Sequence, residues 1–320
     1  MTGLGEFELI DRLLKPLARG FPGALDLTDD AALLDVPSGD QLVIAKDAIV
    51  ADIHFLAEDP PDLVAGKLLR VNLSDLAAMG AEPLAYLTAL ARPPAVDDAW
   101  LQRFTSGLLA DQHRFGCHLI GGDTTSTTGP LVLSLTILGT VPAGEALLRS
   151  GARPGDDIWV SGTLGDAAIG LRVLRGLAVT EDEALELVGR YRTPRPRLAL
   201  GRALRGLANA AIDVSDGLVA DLTHICSTSG VAAEIDASLV PLSAVARGVP
   251  GAREAALTGG DDYELLFTAP AAQRAAVEAL APRIACALTR IGSVRAGEGV
   301  GVVEADGRPL PLPRRGWRHF

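Results

Sequence analysis

Short apolar runs with strand character alternate along this chain with segments of helical period, and that alternation confines it to layered α/β or α+β architectures. Residues 6–19 predict an amphipathic helix with Phe7, Ile10, Leu13, Leu14 and Leu17 on one side. Residues 41–45 read as a short strand, with Lys46 and Asp47 at its far end. Asp62 is placed to cap a helix running to Gly80, whose glycine suits a helix C-terminus. A strand over 84–90, a helix over 96–115, a buried strand over 117–120 leading into Gly121-Gly122-Asp123, and a strand over 131–141 complete the first half. The Gly-, Pro- and Arg-containing stretch 142–155 is the best boundary, giving domains at 1–143 and 144–320. Beyond it the order restarts: strands at 158–160, 211–214 and 265–268, and helices at 165–175, 181–190, 195–208, 217–229 and 271–280.

Composition narrows the class. In 320 residues, 48% are hydrophobic and 22% charged, as in a folded globular protein. A net charge of −11 has the wrong sign for a general nucleic-acid surface. Positive charge comes almost wholly from arginine, because the only lysines are Lys15, Lys46 and Lys67. Cys117, Cys226 and Cys286 are widely separated and form no CxxC pair, which points away from disulfides or a thiolate zinc site and toward a reducing cytoplasm. The N-terminus lacks the apolar core of a signal peptide, and no stretch reaches the roughly 18 apolar residues of a membrane span, so a soluble cytoplasmic protein is expected.

The chemistry resides in acidic motifs: Asp29-Asp30, Lys46-Asp47, Asn72-Leu-Ser-Asp75, Gly121-Gly122-Asp123, Asp213-Val-Ser-Asp216-Gly217 and Gly259-Gly-Asp261-Asp262-Tyr-Glu264. Each is expected where a strand or apolar run gives way to a loop or helix, the usual location of ligand sites in α/β proteins. Taken singly, an Asp-Gly is more often a turn or a helix cap. Taken together, converging carboxylates repel one another and any phosphate unless divalent cations neutralise them, and magnesium bridges carboxylates to phosphates through oxygen. Gly162–Gly165 before a helix is a weak phosphate-loop pattern. His113, His118 and His224 read as packing residues, whereas His54 follows Asp47 closely enough to reach its site. In the basic-aromatic tail holding His319, Trp317 is costly to expose, which favours docking. P-loop, protein-kinase and nucleophile-elbow motifs are absent.

These motifs, together with Gly5-Glu6-Phe7, His54-Phe55, Arg149-Ser-Gly-Ala and Gly316-Trp317, give the chain a nearly end-to-end resemblance to the thiamine-monophosphate kinases. Their superfamily includes aminoimidazole ribonucleotide synthetase and selenophosphate synthetase. The resemblance implies a two-domain α/β (α+β) synthetase-like kinase fold. Its N-terminal domains would bind ATP and metal and pair as a homodimer around a shared β-barrel. The implied activity is ATP-dependent phosphorylation of thiamine monophosphate to thiamine diphosphate. By matching motifs, the implied magnesium shell is Asp30, Asp47, Asp75, Asp123, Asp213 and Asp216, with Ala45 and Lys46 at a further ligand position. Gly122, Asp123, Arg149 and Ser215 are the implied ATP contacts, and His54, Asp261 and Trp317 the implied substrate contacts.

The chain departs from the family at three points. Ala45-Lys46 stands where a hydroxyl residue is usual, so only the Ala45 carbonyl could serve there, and Lys46 can contact phosphate instead. The lead-in Asp26-Leu-Thr-Asp-Asp30 is altered, and Asp261 replaces the usual Glu. The implied mechanism is direct in-line transfer, in which Asp47, Asp123 and Arg149 serve by charge and position and no strong base is needed. The competing readings are another ATP-dependent synthetase of the superfamily and a noncatalytic nucleotide- or metal-binding protein.

Overall fold

The computed structural model describes residues 5–314 and 316–317, so His319 of the tail lies outside the described residues. The chain separates into two compact units, Met1–Leu76 with Glu82–Ala143, and Ala77–Ala81 with Gly144–Phe320.

The first unit opens with a helical run, α1 (Glu6–Leu9), a π-helical turn (Ile10–Leu14) and α2 (Lys15–Ala18), followed by a 3-10 segment (Pro22–Leu27). The expected amphipathic helix is therefore interrupted. The wider π turn rotates the face, so Leu9 and Leu17 are buried while Phe7 is 83% exposed. Next come β1 (Asp40–Val50), α3 (Pro61–Ala78), β2 (Glu82–Arg92), α4 (Asp98–Phe115), β3 (His118–Ser126) and β4 (Val132–Pro142). The four strands form an open sheet in the order β1-β4-β2-β3, with β2 and β3 parallel and the other pairs antiparallel. No barrel closes among the described residues of this chain.

β1 runs well past the strand expected at 41–45. Asp47, paired with Leu135, lies inside it, not at its end. Likewise Asp123 lies within β3, opposite Ala89, and Asp75 within α3. The expectation that every acidic motif marks the end of an element is thus wrong for this unit.

Helices α3 and α4 are joined closely. A Cβ on Gly107 would lie 2.5 Å from the Asp62 carbonyl oxygen, so only glycine permits the approach. Arg70 of α3 grips Asp111 of α4 in a two-pronged ion pair (2.6 and 2.8 Å). Asp97 caps α4 by accepting the Trp100 amide, and Gly116 ends it in the left-handed conformation. Asn72, fully buried on α3, bridges helix and sheet: its Nδ2 donates to the Leu68 carbonyl (2.9 Å) and its Oδ1 accepts the Asp47 amide (3.0 Å).

The second unit contains β5 (Asp156–Ser161), α5 (Asp166–Leu174), α6 (Glu181–Arg192), α7 (Leu198–Leu204), β6 (Ala210–Asp213), α8 (Leu218–Ser229), β7 (Ala232–Asp236), α9 (Ala252–Thr258), β8 (Leu265–Pro270), α10 (Arg274–Glu278), α11 (Leu280–Ile284), β9 (Leu288–Arg295) and β10 (Gly299–Val303). Its six-stranded sheet runs β10-β7-β9-β5-β8-β6, mostly antiparallel. The core joins the buried faces of β5, β6 and β8 to Leu218, Leu222 and Ile225 of α8. The helix expected over 195–208 shortens to α7, because Pro194 and Pro196 keep the chain extended ahead of it.

Asn72→Ala leaves the Asp47 amide facing a space with no acceptor. We expect a loss of about 1–3 kcal/mol in urea unfolding, with an unchanged dependence on denaturant concentration; wild-type stability would show that the bridge carries no weight.

Candidate active site

A cavity of about 650 Å³ opens against the four-stranded sheet. Asp29, Asp30, Lys46, Gly122, Asp123 and Ser134 are among the residues that line it. β3 reaches it through a bulge: Tyr86 pairs with Leu119 and Leu87 with Gly121, so Ile120 is an extra residue that re-aims the segment after it. Gly122 then lies so close to β2 that a Cβ would sit 2.1 Å from the Thr88 carbonyl oxygen. Any side chain there would push β3 away and move Asp123.

Alternation along β1 separates the neighbours Lys46 and Asp47. Lys46 lines the cavity, donating to Ser134 Oγ, which in turn donates to the Asp47 carbonyl (3.2 Å). An ammonium has no lone pair for a metal. In this setting the side chain suits a phosphate oxygen instead. Ala45 and Asp47 share the other face, and burial raises the Asp47 carboxyl above its ordinary range, with Lys46 opposing. Asp75 is half-buried on α3. The first unit therefore collects Asp30, Lys46, Gly122 and Asp123 around one cavity, which Ala45, Asp47, Asp75 and His54 do not line. His54 sits in the turn after β1, where its Nδ1 accepts the Val50 amide (3.1 Å) and its carbonyl accepts from the buried Lys67 Nζ (2.8 Å).

In the second unit the acidic motifs do lie at element ends. Asp213 closes β6, and Ser215-Asp216-Gly217 form the loop into α8, with Gly217 at φ +123°. The loop is anchored from within: Asp221 Oδ2 accepts the amides of Ser215, Asp216 and Gly217 at 3.0, 3.1 and 3.0 Å. The Ser215 carbonyl accepts the Asp261 amide and the Asp216 carbonyl accepts the Trp317 amide, both at 2.9 Å. Asp213, Ser215, Asp216, Asp261 and Trp317 are thus gathered around one loop, and the Trp317 side chain is 57% exposed.

Arg149 does not join them. Its carbonyl is held by Thr228 and Ser229 at the far end of α8, about 18 Å along a helix of 12 residues from Ser215. The Gly162–Gly165 turn is not an open phosphate loop either. Asp262 already occupies the start of α5, accepting the amides of Gly165 (2.6 Å) and Ala167 (3.3 Å). Burial pushes the Asp262 carboxyl well above the ordinary range, with Asp166 adding and the two amides and Arg190 opposing. Glu264 takes Ser161, Arg190 and Arg197 as donors in the same buried cluster.

The sequence motifs include Asn72 and Asp262 without a role of their own for either, and they do not reach Asp221. Asp221 carried a usable signal, an acid in the first turn of a helix that follows a glycine. Among the described residues, no group of three or more His, Cys, Asp or Glu side chains stands ready to hold a metal ion.

The fold and these sites define the class. Models of the N-terminal and C-terminal domains of AIR synthase related protein match residues 28–141 and 153–304. The chain is 46% identical over 322 residues to the thiamine-monophosphate kinase of Caulobacter vibrioides, covering 98% of this chain and 90% of that relative. The crystal structure of the thiamine-monophosphate kinase from Stenotrophomonas maltophilia K279a superimposes with a TM-score of 0.86 at 45% identity, over 97% of this chain and 99% of that one. AaThiL complexed with AMPPCP and TMP superimposes with a TM-score of 0.78 at 33% identity, over 100% and 99%. This chain belongs to the thiamine-monophosphate kinase family.

The loop anchor sets a pH dependence. Burial, then the charges of Asp213 and Asp216, raise the Asp221 carboxyl from 3.8 to about 7, against the pull of the Gly217 and Asp216 amides. The folded state therefore holds this proton more tightly than the unfolded chain. Its contribution to stability is full below about 4, declines as pH rises and levels off above about 7, with a slope of at most roughly 1.4 kcal/mol per pH unit. In magnesium-free protein, Asp221→Asn should flatten that decline between pH 5 and pH 8. Parallel stability–pH curves for the two proteins would refute it.

Proposed function

We propose that this chain transfers the γ-phosphoryl group of ATP to thiamine monophosphate, giving thiamine diphosphate and ADP. The observation that carries this reading is the Asp30–Lys46–Gly122–Asp123 cavity in a chain 46% identical, over 98% of its length, to a thiamine-monophosphate kinase. The complex of AaThiL with AMPPCP and TMP supports it, since a relative at 33% identity binds an ATP analogue together with TMP, which we read as thiamine monophosphate.

On this reading residues 1–143 form the N-terminal ATP- and metal-binding and dimerisation domain, and residues 144–320 the C-terminal α/β domain. The donors fit magnesium: they are carboxylate oxygens, and those of Asp30 and Asp123 face an open cavity. Asp30, Asp47, Asp75 and Asp123 with the Ala45 carbonyl in the first unit, and Asp213 and Asp216 in the second, are the residues that would hold magnesium, which supplies charge neutralisation between phosphates. Lys46 donates to a phosphate oxygen, as do the Gly122 amide and Ser215, whereas Arg149, at the other end of α8 from Ser215, is left out of that contact. His54, Asp261 and Trp317 hold thiamine monophosphate, with the exposed Trp317 ring suited to stack on its heterocycles. The attacking phosphate is already an anion near neutral pH, so catalysis consists of alignment and electrostatics rather than proton removal.

A homodimer belongs to the same proposal. β1 is an edge strand, and its Ile44 side chain is 61% exposed, so two copies can extend their sheets into a shared barrel. A cytoplasmic setting fits the three free, buried cysteines, two of whose thiols burial pushes up to about 12 (Cys117) and about 11 (Cys226). No described helix is long and apolar enough to cross a membrane.

ADP release should be stimulated by thiamine monophosphate, with thiamine diphosphate as product, and Asp47→Asn or Asp123→Asn should lower turnover roughly 10²-fold without unfolding the protein. Folded Asp47→Asn protein at near-wild-type rate would remove that residue from the site, and binding without turnover would favour a noncatalytic role. Ile44→Lys should shift the mass measured by light scattering from dimer toward monomer; an unchanged dimer would exclude β1 as the interface.

A further inference from the structure

We propose that Asp221 is a positioning residue for the acceptor side of this reaction, setting through two peptide planes where Asp261 and Trp317 stand. The inference rests on the function proposed above. Asp221 touches none of the residues assigned to substrate through its own side chain. It is 2% exposed, in the first turn of α8, and all three of its amide partners belong to the loop before that helix.

The geometry of the peptide unit carries the argument. In a trans peptide the N–H and the preceding C=O point in opposite directions, and no described peptide here is cis. When the Asp216 amide turns inward to Asp221, the Ser215 carbonyl of the same unit must face outward, and there it accepts the Asp261 amide. When the Gly217 amide turns inward, the Asp216 carbonyl faces outward, and there it accepts the Trp317 amide. One carboxylate oxygen thus fixes the direction of two carbonyls, and each carbonyl fixes one substrate residue. Asp261 (φ +70°) and Tyr263 (φ +50°) hold left-handed backbone conformations unusual for residues with side chains, so this arm needs external support. The Tyr263 amide supplies some, donating to the Val214 carbonyl (2.8 Å). The loop also tolerates no bulk: a Cβ on Gly260 would lie 2.4 Å from the Ser215 oxygen.

The test compares Asp221→Ala, Asp221→Asn and Asp221→Glu in the full-length protein. Asn keeps an oxygen at the same reach and should accept the three amides. Ala removes the acceptor, and Glu moves it by one methylene. With thiamine monophosphate as varied substrate, kcat/KM should fall at least roughly tenfold in the Ala and Glu variants, mainly through KM, and stay within about threefold of wild type in the Asn variant. Hydrogen exchange should rise over 213–218, around Asp261 and around Trp317 in the Ala variant, and stay unchanged in the first unit. Equal impairment of the Asn and Ala variants, or a Glu variant indistinguishable from wild type, would overturn the proposal. If Asp221→Ala does not fold, the Glu and Asn variants decide it. Hydrogen exchange needs no turnover. Wild-type protein whose ADP release ignores thiamine monophosphate would therefore sink the proposed function, while the exchange comparison would still judge the anchor.

Discussion

A carboxylate removed from water must find donors, and in this protein that requirement governs where the loops of the site can go. Asp111 and Asp157 are met by arginines, Asp221 and Asp262 by backbone amides, and Glu264 by two arginines and a serine. The amide-bound pair matters most. Each turns a stretch of main chain toward itself, Asp221 the loop before α8 and Asp262 the start of α5. These acids are internal acceptors that fix the backbone, and the acids exposed beside them remain available to ligands.

The same residue type therefore serves two purposes, separated by burial. Asp30 and Asp123 face an open cavity, where clustered negative charge is tolerable once a cation arrives. Asp221 and Asp262 lie inside, where the ionised form is costly and the carboxyl shifts toward neutrality. Asp47 is intermediate, half-buried and shifted upward, with its amide held by Asn72. The strand pleat adds a second separation, because Lys46 and Asp47 must face opposite sides of β1. Lys46 is thereby directed into the cavity, which Arg92 also lines.

How much was legible in the sequence varies by element. Helices with clear ends, such as α4 between Asp97 and Gly116, and α8 before Gly230, were readable because caps and period agree. The sequence makes β1 too short: Lys46 and Asp47 look like the polar close of a strand, yet eleven residues pair with β4. The break in the N-terminal helix is invisible in the sequence because a π turn leaves no mark in a 3.6-residue pattern. Gly162–Gly165 resembled a phosphate loop, and only the fold brings Asp262, nearly a hundred residues later, to the helix start. The family resemblance groups Arg149 and Ser215 as ATP contacts, yet in their own unit they stand at opposite ends of α8.

The order of residues by itself determined the layered α/β class and marked out the acids proposed to carry the chemistry, because period, caps and motif spacing are local properties of the chain. The tertiary structure alone decided which acids face a cavity and which are consumed as anchors. It also decided that Lys46 and not Asp47 lines that cavity, and that one buried oxygen of Asp221 sets the loop on which Asp261 and Trp317 depend. Burial, strand pairing and the direction of a peptide plane are relations between distant segments, and they exist only once the chain has folded.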